Sequence, residues 1–202
     1  MTVESIVFDF GGVLIDWNPR YLYRKVFQDE SEMEYFLSHV CTPEWNAALD
    51  KGKPFQQGVK ELLPLYPEYA EEIKMYDTRW EEMCGAEIEG SVRLLRAVAR
   101  RYPVYGLTNW SAEKFRITLP KHDFFNVFKG IVVSGVEKEC KPDPALFKIL
   151  IERYGLIPGK TIFIDDSFPN IETAKQLGFQ AVHFETPEKL EKELLARGVV
   201  LD

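Results

Sequence analysis

The chain has 202 residues, 46% of them hydrophobic and 28% charged, with a formal net charge of -7. That length suits one domain with room for an insertion and a sizeable core. The acidic excess argues against a sequence-independent grip on nucleic acid or an anionic membrane, both of which need clustered Lys and Arg. Cys41, Cys84 and Cys140 form an odd set without metal-ligand spacing, so neither a disulfide framework nor a zinc site is expected. No stretch reaches the length of a membrane span and no leader pattern precedes Phe10, so the chain reads as cytoplasmic.

In chain order the first element is SIVFDFGG, Ser5 to Gly12. Its β-branched and aromatic residues read as a buried strand that runs into Asp9 and then turns on Gly11 and Gly12. Such a strand delivers a carboxylate to the rim of a sheet. From about Trp17 to Gly90 no convincing strand is visible. Four helices are read there, in PRYLYRKVF, SEMEYFLSHV, PFQQGVKELLPLY and EYAEEIKMYDTRWEEMC. That is more than a single crossover needs, so residues 17–89 are expected to form a helical cap inserted between residues 1–16 and 90–202 of an α/β core. Within the cap, EWNAALDKGKPF contains Trp45 and Lys51 and has a glycine in a polar turn between helical segments. It is a candidate to reach the site.

Beyond the cap, SVRLLRAVARRY reads as a helix with Ser91 as N-cap and Val92, Leu95, Val98 and Ala99 on one face. Strands follow in YPVYGLTNW and FKGIVVSG. DPALFKILIERYG reads as a helix with Asp143 as N-cap, Pro144 at the first helical position, a buried stripe of Leu146, Ile149, Leu150 and Tyr154, and Gly155 as its stop. TIFIDDS and QAVHF complete the strands. Strands alternating with helices predict the α/β class, a doubly wound and mostly parallel sheet covered on both faces.

The residues at the ends of these strands are Asp9, then Thr108 and Asn109, then Asp165 and Asp166. Parallel strands bring them to one edge, where ligands bind in doubly wound sheets. Lys141 joins them if its loop, EKECKPDP, returns to that edge. Three clustered carboxylates repel one another unless a cation sits among them, and Mg²⁺ takes oxygen ligands from carboxylates and substrate phosphate. A carboxylate nucleophile could then attack a phosphorus neutralised by metal and lysine. Thr108 is suited to hydrogen-bond a phosphoryl oxygen. Adjacent Asp165 and Asp166 point to opposite sides of an extended chain, so one of them, taken as Asp166, is the direct ligand. Trp17 and Trp110 flank the first two motifs, where rings could line a substrate pocket.

Taken together, DFGGV, GLTN, CKPDP and DDSFPN resemble, in order and spacing, the motifs of the haloacid dehalogenase (HAD) superfamily, in the branch with a helical cap after the first motif. The resemblance implies a Rossmann-like core and Mg²⁺ as cofactor. Asp9 is implied as phosphoryl-accepting nucleophile and metal ligand, the Gly11 carbonyl and Asp166 as further ligands, and Thr108 and Lys141 as catalytic. Asp165 and Asn170 are implied as supporting groups. Thr108, Asn109, Lys141, Trp17 and Trp110 are the expected substrate contacts. The substrate expected is a small phosphorylated metabolite, a sugar phosphate first, with no nucleic-acid or membrane partner.

One departure stands out. Where phosphatases of this superfamily carry a second Asp as general acid and base, this chain has Gly11; some relatives resembling glucose-1-phosphate phosphatases carry a similar glycine. The proton must then come from water, another group or the substrate, which favours esters with acidic leaving groups such as an anomeric sugar phosphate. Asp16 lies where the chain leaves for the cap and reads as a solvated or capping acid. His39, His122 and His183 lack partners at ligand spacing and read as surface or core residues. Two alternatives stay open: a hydrolytic 2-haloacid dehalogenase, and a degenerate member that binds a phosphorylated ligand without turnover.

Overall fold

The computed structural model describes residues 2–201. Its strands are β1 (Ser5–Phe8), β2 (Ile15–Trp17), β3 (Cys84–Glu87), β4 (Val104–Thr108), β5 (Gly130–Val133), β6 (Thr161–Asp165) and β7 (Gln180–His183). The helices before β4 are α1 (Arg20–Tyr23), α2 (Glu30–Tyr35), α3 (Pro43–Asp50), α4 (Phe55–Leu62), α5 (Ala70–Thr78) and α6 (Glu89–Ala99). Those after β4 are α7 (Ala112–Thr118), α8 (Ser134–Glu137), α9 (Pro144–Tyr154), α10 (Phe168–Gln176) and α11 (Pro187–Ala196). Among the described residues no helix is long and apolar enough to cross a membrane.

Five strands form a parallel sheet in the order β5-β4-β1-β6-β7. Ile6 is opposite Val104 on one side and Ile162 on the other. The chain therefore leaves β1 for one flank of the sheet and later returns to the other. The crevice opened by that reversal lies at the carboxyl ends of β1, β4 and β6. Alternation along β1 sends Ile6 and Phe8 into one apolar layer and Val7 into another. The layer holding Val7 is filled by Leu146, Phe147 and Leu150 of α9 and Ile171 of α10. The opposite layer takes Val92, Leu95 and Val98 of α6 and Leu190 and Leu194 of α11. It continues without a break into the cap through Tyr23, Phe36 and Tyr76.

Helix α9 follows its sequence signals. Asp143 accepts the Ala145 N–H at 2.8 Å, and Gly155 closes the helix in the left-handed region at φ 63°. The buried stripe is Leu146, Phe147 and Leu150, with Ile149 and Tyr154 half-buried. For α6 the start is corrected: the helix begins at Glu89, and Ser91 lies inside it, fully buried with its hydroxyl unpartnered.

Two further corrections concern residues 17–89. The interval does hold a strand, β3, which pairs antiparallel with β2 across the points where the chain leaves and re-enters the sheet domain. Pairing of segments nearly seventy residues apart leaves no local pattern, and neither piece is long enough to show alternation. A helix beyond the four read there, α3, makes up most of EWNAALDKGKPF, begun by Thr42 capping the Trp45 N–H and Pro43 at the first position, with Gly52 in the turn before α4 as expected.

Leu150 is fully buried between α9 and the sheet. Leu150→Ala is expected to cost about 2–5 kcal/mol in urea unfolding, and Asp143→Ala, which removes only the cap, about 1 kcal/mol. Equal losses would show that α9 is not held by its apolar face.

Candidate active site

The site begins with what the strand ends deliver. Asp9 follows β1 directly, and its N–H still pairs with the Ile164 carbonyl of β6 at 2.9 Å, so sheet pairing holds its backbone. Thr108 ends β4 and Asp165 ends β6, both buried. The next residue, Asp166, is exposed. Carboxylate oxygens of Asp9, Asp165 and Asp166 lie within 4.8 Å of one another.

Lys141 lies among them. Its Nζ is 2.9 Å from Asp9 Oδ1 and 2.7 Å from Asp165 Oδ2, and it donates to the Leu107 carbonyl at 2.8 Å. The ammonium is fully enclosed. Burial alone would lower its pKa, but Asp165 and Asp9 outweigh that and hold it above the ordinary lysine value. The loop carrying Lys141 is clipped to β4 by Asn109, whose side chain donates to the Lys141 carbonyl and accepts from its N–H, both at 2.8 Å. Asn109 lines the cavity, yet its amide is engaged in holding the lysine. The clip uses one of the amide's two N–H groups, so the side chain keeps a donor for a ligand in the cavity it lines.

The two adjacent acids differ as an extended backbone requires. Asp165 points inward, where its Oδ1 accepts the Ser167 N–H at 2.8 Å and the Asn170 amide at 3.0 Å, while Oδ2 is on Lys141. Asp166 faces the cavity, its carbonyl accepting from His183 Nε2 at 2.8 Å if that nitrogen carries the proton. Asp9 is pushed up to about 7, mainly by burial and further by Asp165 and Asp166, with Lys141 opposing. Asp166 is raised for the same reasons. Three carboxylates against one ammonium leave excess negative charge that burial penalises. Oxygen donors alone, with no thiol or imidazole in the group, suit a hard divalent cation.

The glycines of the first turn differ in necessity. Gly12 sits at φ +73°, and a Cβ there would come 2.3 Å from Asp166 Oδ2, so a side chain would push the acid away. At Gly11 a Cβ would meet nothing within 4 Å. Gly11 simply leaves space on the cavity wall.

A cavity of about 200 Å³ opens over these groups, lined by Asp9, Gly11, Gly12 and Asp166 from the strand ends, with Trp17, Trp80, Asn109 and Trp110, and by Asn46 and Asp50 from α3. The Trp110 indole N–H is buried without a partner. Asn46 donates to Asp50 Oδ2 at 2.9 Å and accepts from Tyr76 at 3.0 Å. Burial pushes the Asp50 carboxyl up to about 7, against the Ser111 backbone N–H and the Asn46 amide, which favour its ionised form.

Asn46, Asp50 and Trp80 escaped the sequence reading. The first two are four apart and so share a helix face, a signal visible only once α3 is recognised as a helix. Trp45, by contrast, packs edge-on against Tyr76 and donates to Gly58, and Lys51 pairs with Glu139 at the surface. Asp16 is held by the Tyr21 hydroxyl. His39 and His122 bond to Tyr35 and Glu87.

Comparison with known proteins agrees with this geometry. Residues 3–178 match the model of the haloacid dehalogenase-like hydrolases. The chain is 25% identical over 199 residues to drimenol cyclase of Aspergillus calidoustus, covering 95% of this chain but 36% of that protein, so it spans about a third of that relative's length. It is also 25% identical over 218 residues to D-ribitol-5-phosphate phosphatase of Bacteroides thetaiotaomicron, covering 95% of this chain and 97% of that one. A HAD family enzyme of Bacteroides thetaiotaomicron, solved with magnesium and inorganic phosphate, superposes with TM-score 0.70 at 22% identity, covering 91% of this chain and 95% of that one. The motifs at the strand ends and the match over most of its length agree: the chain belongs to the haloacid dehalogenase-like hydrolase family.

Proposed function

We propose that this protein is a Mg²⁺-dependent phosphomonoester hydrolase that acts on a small phosphorylated metabolite through an aspartyl-phosphate on Asp9, with a sugar phosphate as the favoured substrate. The observation that carries the reading is Asp9 itself. Both the Lys141 ammonium and the Phe10 N–H fall on its Oδ1, at 2.9 and 2.7 Å, and the residue lines the cavity. Oδ2 is then the oxygen that attacks phosphorus.

Asp9, Asp166 and the Gly11 carbonyl would hold the cation, which when bound neutralises charge on the transferring phosphoryl group. Lys141 favours the ionised form of Asp9 against burial and orients it, and its own position is fixed by Asp165, Leu107 and the Asn109 clip. Thr108, at the end of β4, would donate its hydroxyl to a phosphoryl oxygen. A cavity of about 200 Å³ walled by three tryptophans suits a small ester, with indole faces against the carbon skeleton. Residues 17–89 would act as the cap that excludes bulk water during transfer. The phosphatase named among the relatives and the magnesium and phosphate of the solved neighbour support the same class. A second carboxylate, Asp166, on the cavity wall favours phosphoryl transfer over dehalogenation, which needs no cation.

Phosphate release that requires Mg²⁺, without halide release from a 2-haloacid, is the expected result, and the reverse pattern would replace this reading with the dehalogenase. Asp9→Asn should abolish turnover with the fold intact by circular dichroism; a tenth of the activity remaining would exclude Asp9 as nucleophile.

The adjacent acids should separate by readout. Asp166→Asn should raise the Mg²⁺ concentration needed for half-maximal rate with little change in melting temperature. Asp165→Asn breaks a buried ion pair and should cost about 3–5 kcal/mol of stability. An unchanged Mg²⁺ requirement in Asp166→Asn would remove it from the ligand set.

A further inference from the structure

Cleaving a phosphate ester releases an alkoxide unless a proton arrives, and a positioned acid is worth about 10² to 10⁴ in rate. Of the described residues that line the cavity, Asp9 and Asp166 belong to the acidic cluster, Asn46 and Asn109 carry no exchangeable acid proton of use, and Gly11 offers no side chain. The remaining carboxylate is Asp50. It comes from the cap and lines the same cavity as the strand-end acids, its carboxyl meeting the Asn46 amide and the Ser111 backbone N–H.

Several contacts fix it there. Ser134 donates its hydroxyl to the Asp50 carbonyl at 2.6 Å and accepts the Trp110 N–H at 2.8 Å, tying the end of α3 to the loop after β4. Lys138 Nζ donates to the Gly52 carbonyl at 3.2 Å and the Gly135 carbonyl at 2.9 Å. Lys51 pairs with Glu139 at 2.9 Å. Asn46 holds one carboxylate oxygen and is itself held by Tyr76. The cap thus presents an oriented acid to the cavity that holds the nucleophile.

The geometry points to Asp50 as the general acid and base of this site, supplied by the cap in place of a carboxylate at position 11; the assignment rests on the phosphatase reading above. Asp9 Oδ2 bonds to phosphorus as the bond to the leaving oxygen breaks, and that oxygen takes the Asp50 proton to depart as a neutral alcohol. The resulting Asp50 carboxylate removes a proton from the water that attacks the aspartyl-phosphate. The phosphorus–Asp9 bond breaks, monohydrogen phosphate leaves, and both acids return to their starting forms. Burial keeps a share of Asp50 protonated near neutrality.

The test compares phenyl phosphate with benzyl phosphate at saturating Mg²⁺, esters of similar size whose leaving groups differ strongly in acidity. Wild-type kcat/KM should depend only weakly on leaving-group acidity. Asp50→Asn, which can still accept from Asn46, should lose about 10² or more on benzyl phosphate and less than about tenfold on phenyl phosphate. Gly11→Asp, for which the wall has room, should restore part of the benzyl rate in the Asp50→Asn background. The wild-type benzyl rate should also fall as pH rises through the Asp50 titration, since the donor must carry its proton, and this limb should vanish in Asp50→Asn. Groups around Asp50 include Tyr76 and Cys140, both raised by burial, Lys51 raised by Glu139, the Lys138 ammonium at Gly52, and Asp9 and Asp166, which line the same cavity. A steep leaving-group dependence in the wild type, or equal losses on both esters in Asp50→Asn, would overturn the assignment while leaving the phosphatase reading standing. The wild-type slope needs no variant and decides the matter even if Asp50→Asn fails to fold. No phosphate release from either ester by the wild type would overturn both.

Discussion

The interaction on which the site depends is the buried ammonium of Lys141 between Asp9 and Asp165. Without it, the end of β1 and the end of β6 would bring two carboxylates together in a region that water hardly reaches, and one would have to take a proton. The lysine opposes that and holds both carboxylates in place. Its presence demands that the loop before α9 return to the sheet edge, and Asn109 secures that return by bonding both backbone groups of Lys141. A side chain from the end of β4 therefore fixes the cation that serves β1 and β6. The crevice made by the strand order becomes an electrostatically defined site.

Such a pair is not chiefly a source of stability, since removing two charges from water offsets much of their attraction. Its contribution is orientation. Asp165 has each oxygen committed, to Lys141 on one side and to Ser167 and Asn170 on the other. Asp9 is committed through Oδ1 alone. That asymmetry separates a carboxylate engaged at both oxygens from one engaged at a single oxygen.

The cap is tied to the same edge by polar contacts at its rim and by the apolar layer that runs through Phe8, Phe10, Tyr23 and Tyr76. Lys114 of α7 reaches Asp77 of α5 at 2.5 Å, and Ser134 links α3 to the loop after β4. On the cap side the cavity wall is Trp17, Asn46, Asp50 and Trp80, and Trp80 meets Trp110 of the core with ring centroids 5.7 Å apart. The cap is therefore seated by a continuous apolar layer as well as by polar links, which together fix its register over the site.

The sequence by itself determined the alternation of strands and helices, hence the parallel sheet, and it marked the strand-end residues. Those signals are local: β-branched runs ending in Asp9, Thr108 and Asp165, and a capped helix after Lys141. Three features were decided only by tertiary structure. The β2–β3 pair joins distant segments with no local pattern. Asn109 was marked as a strand-end residue, but its clip on the Lys141 backbone depends on where that loop lands. Asp50 lies in a stretch marked as a candidate to reach the site, but which of its residues line the cavity depends on how α3 docks. A side chain's burial and partners, which set its protonation, are properties of the assembled fold; the chain order carries the residue, and only packing gives that residue its environment.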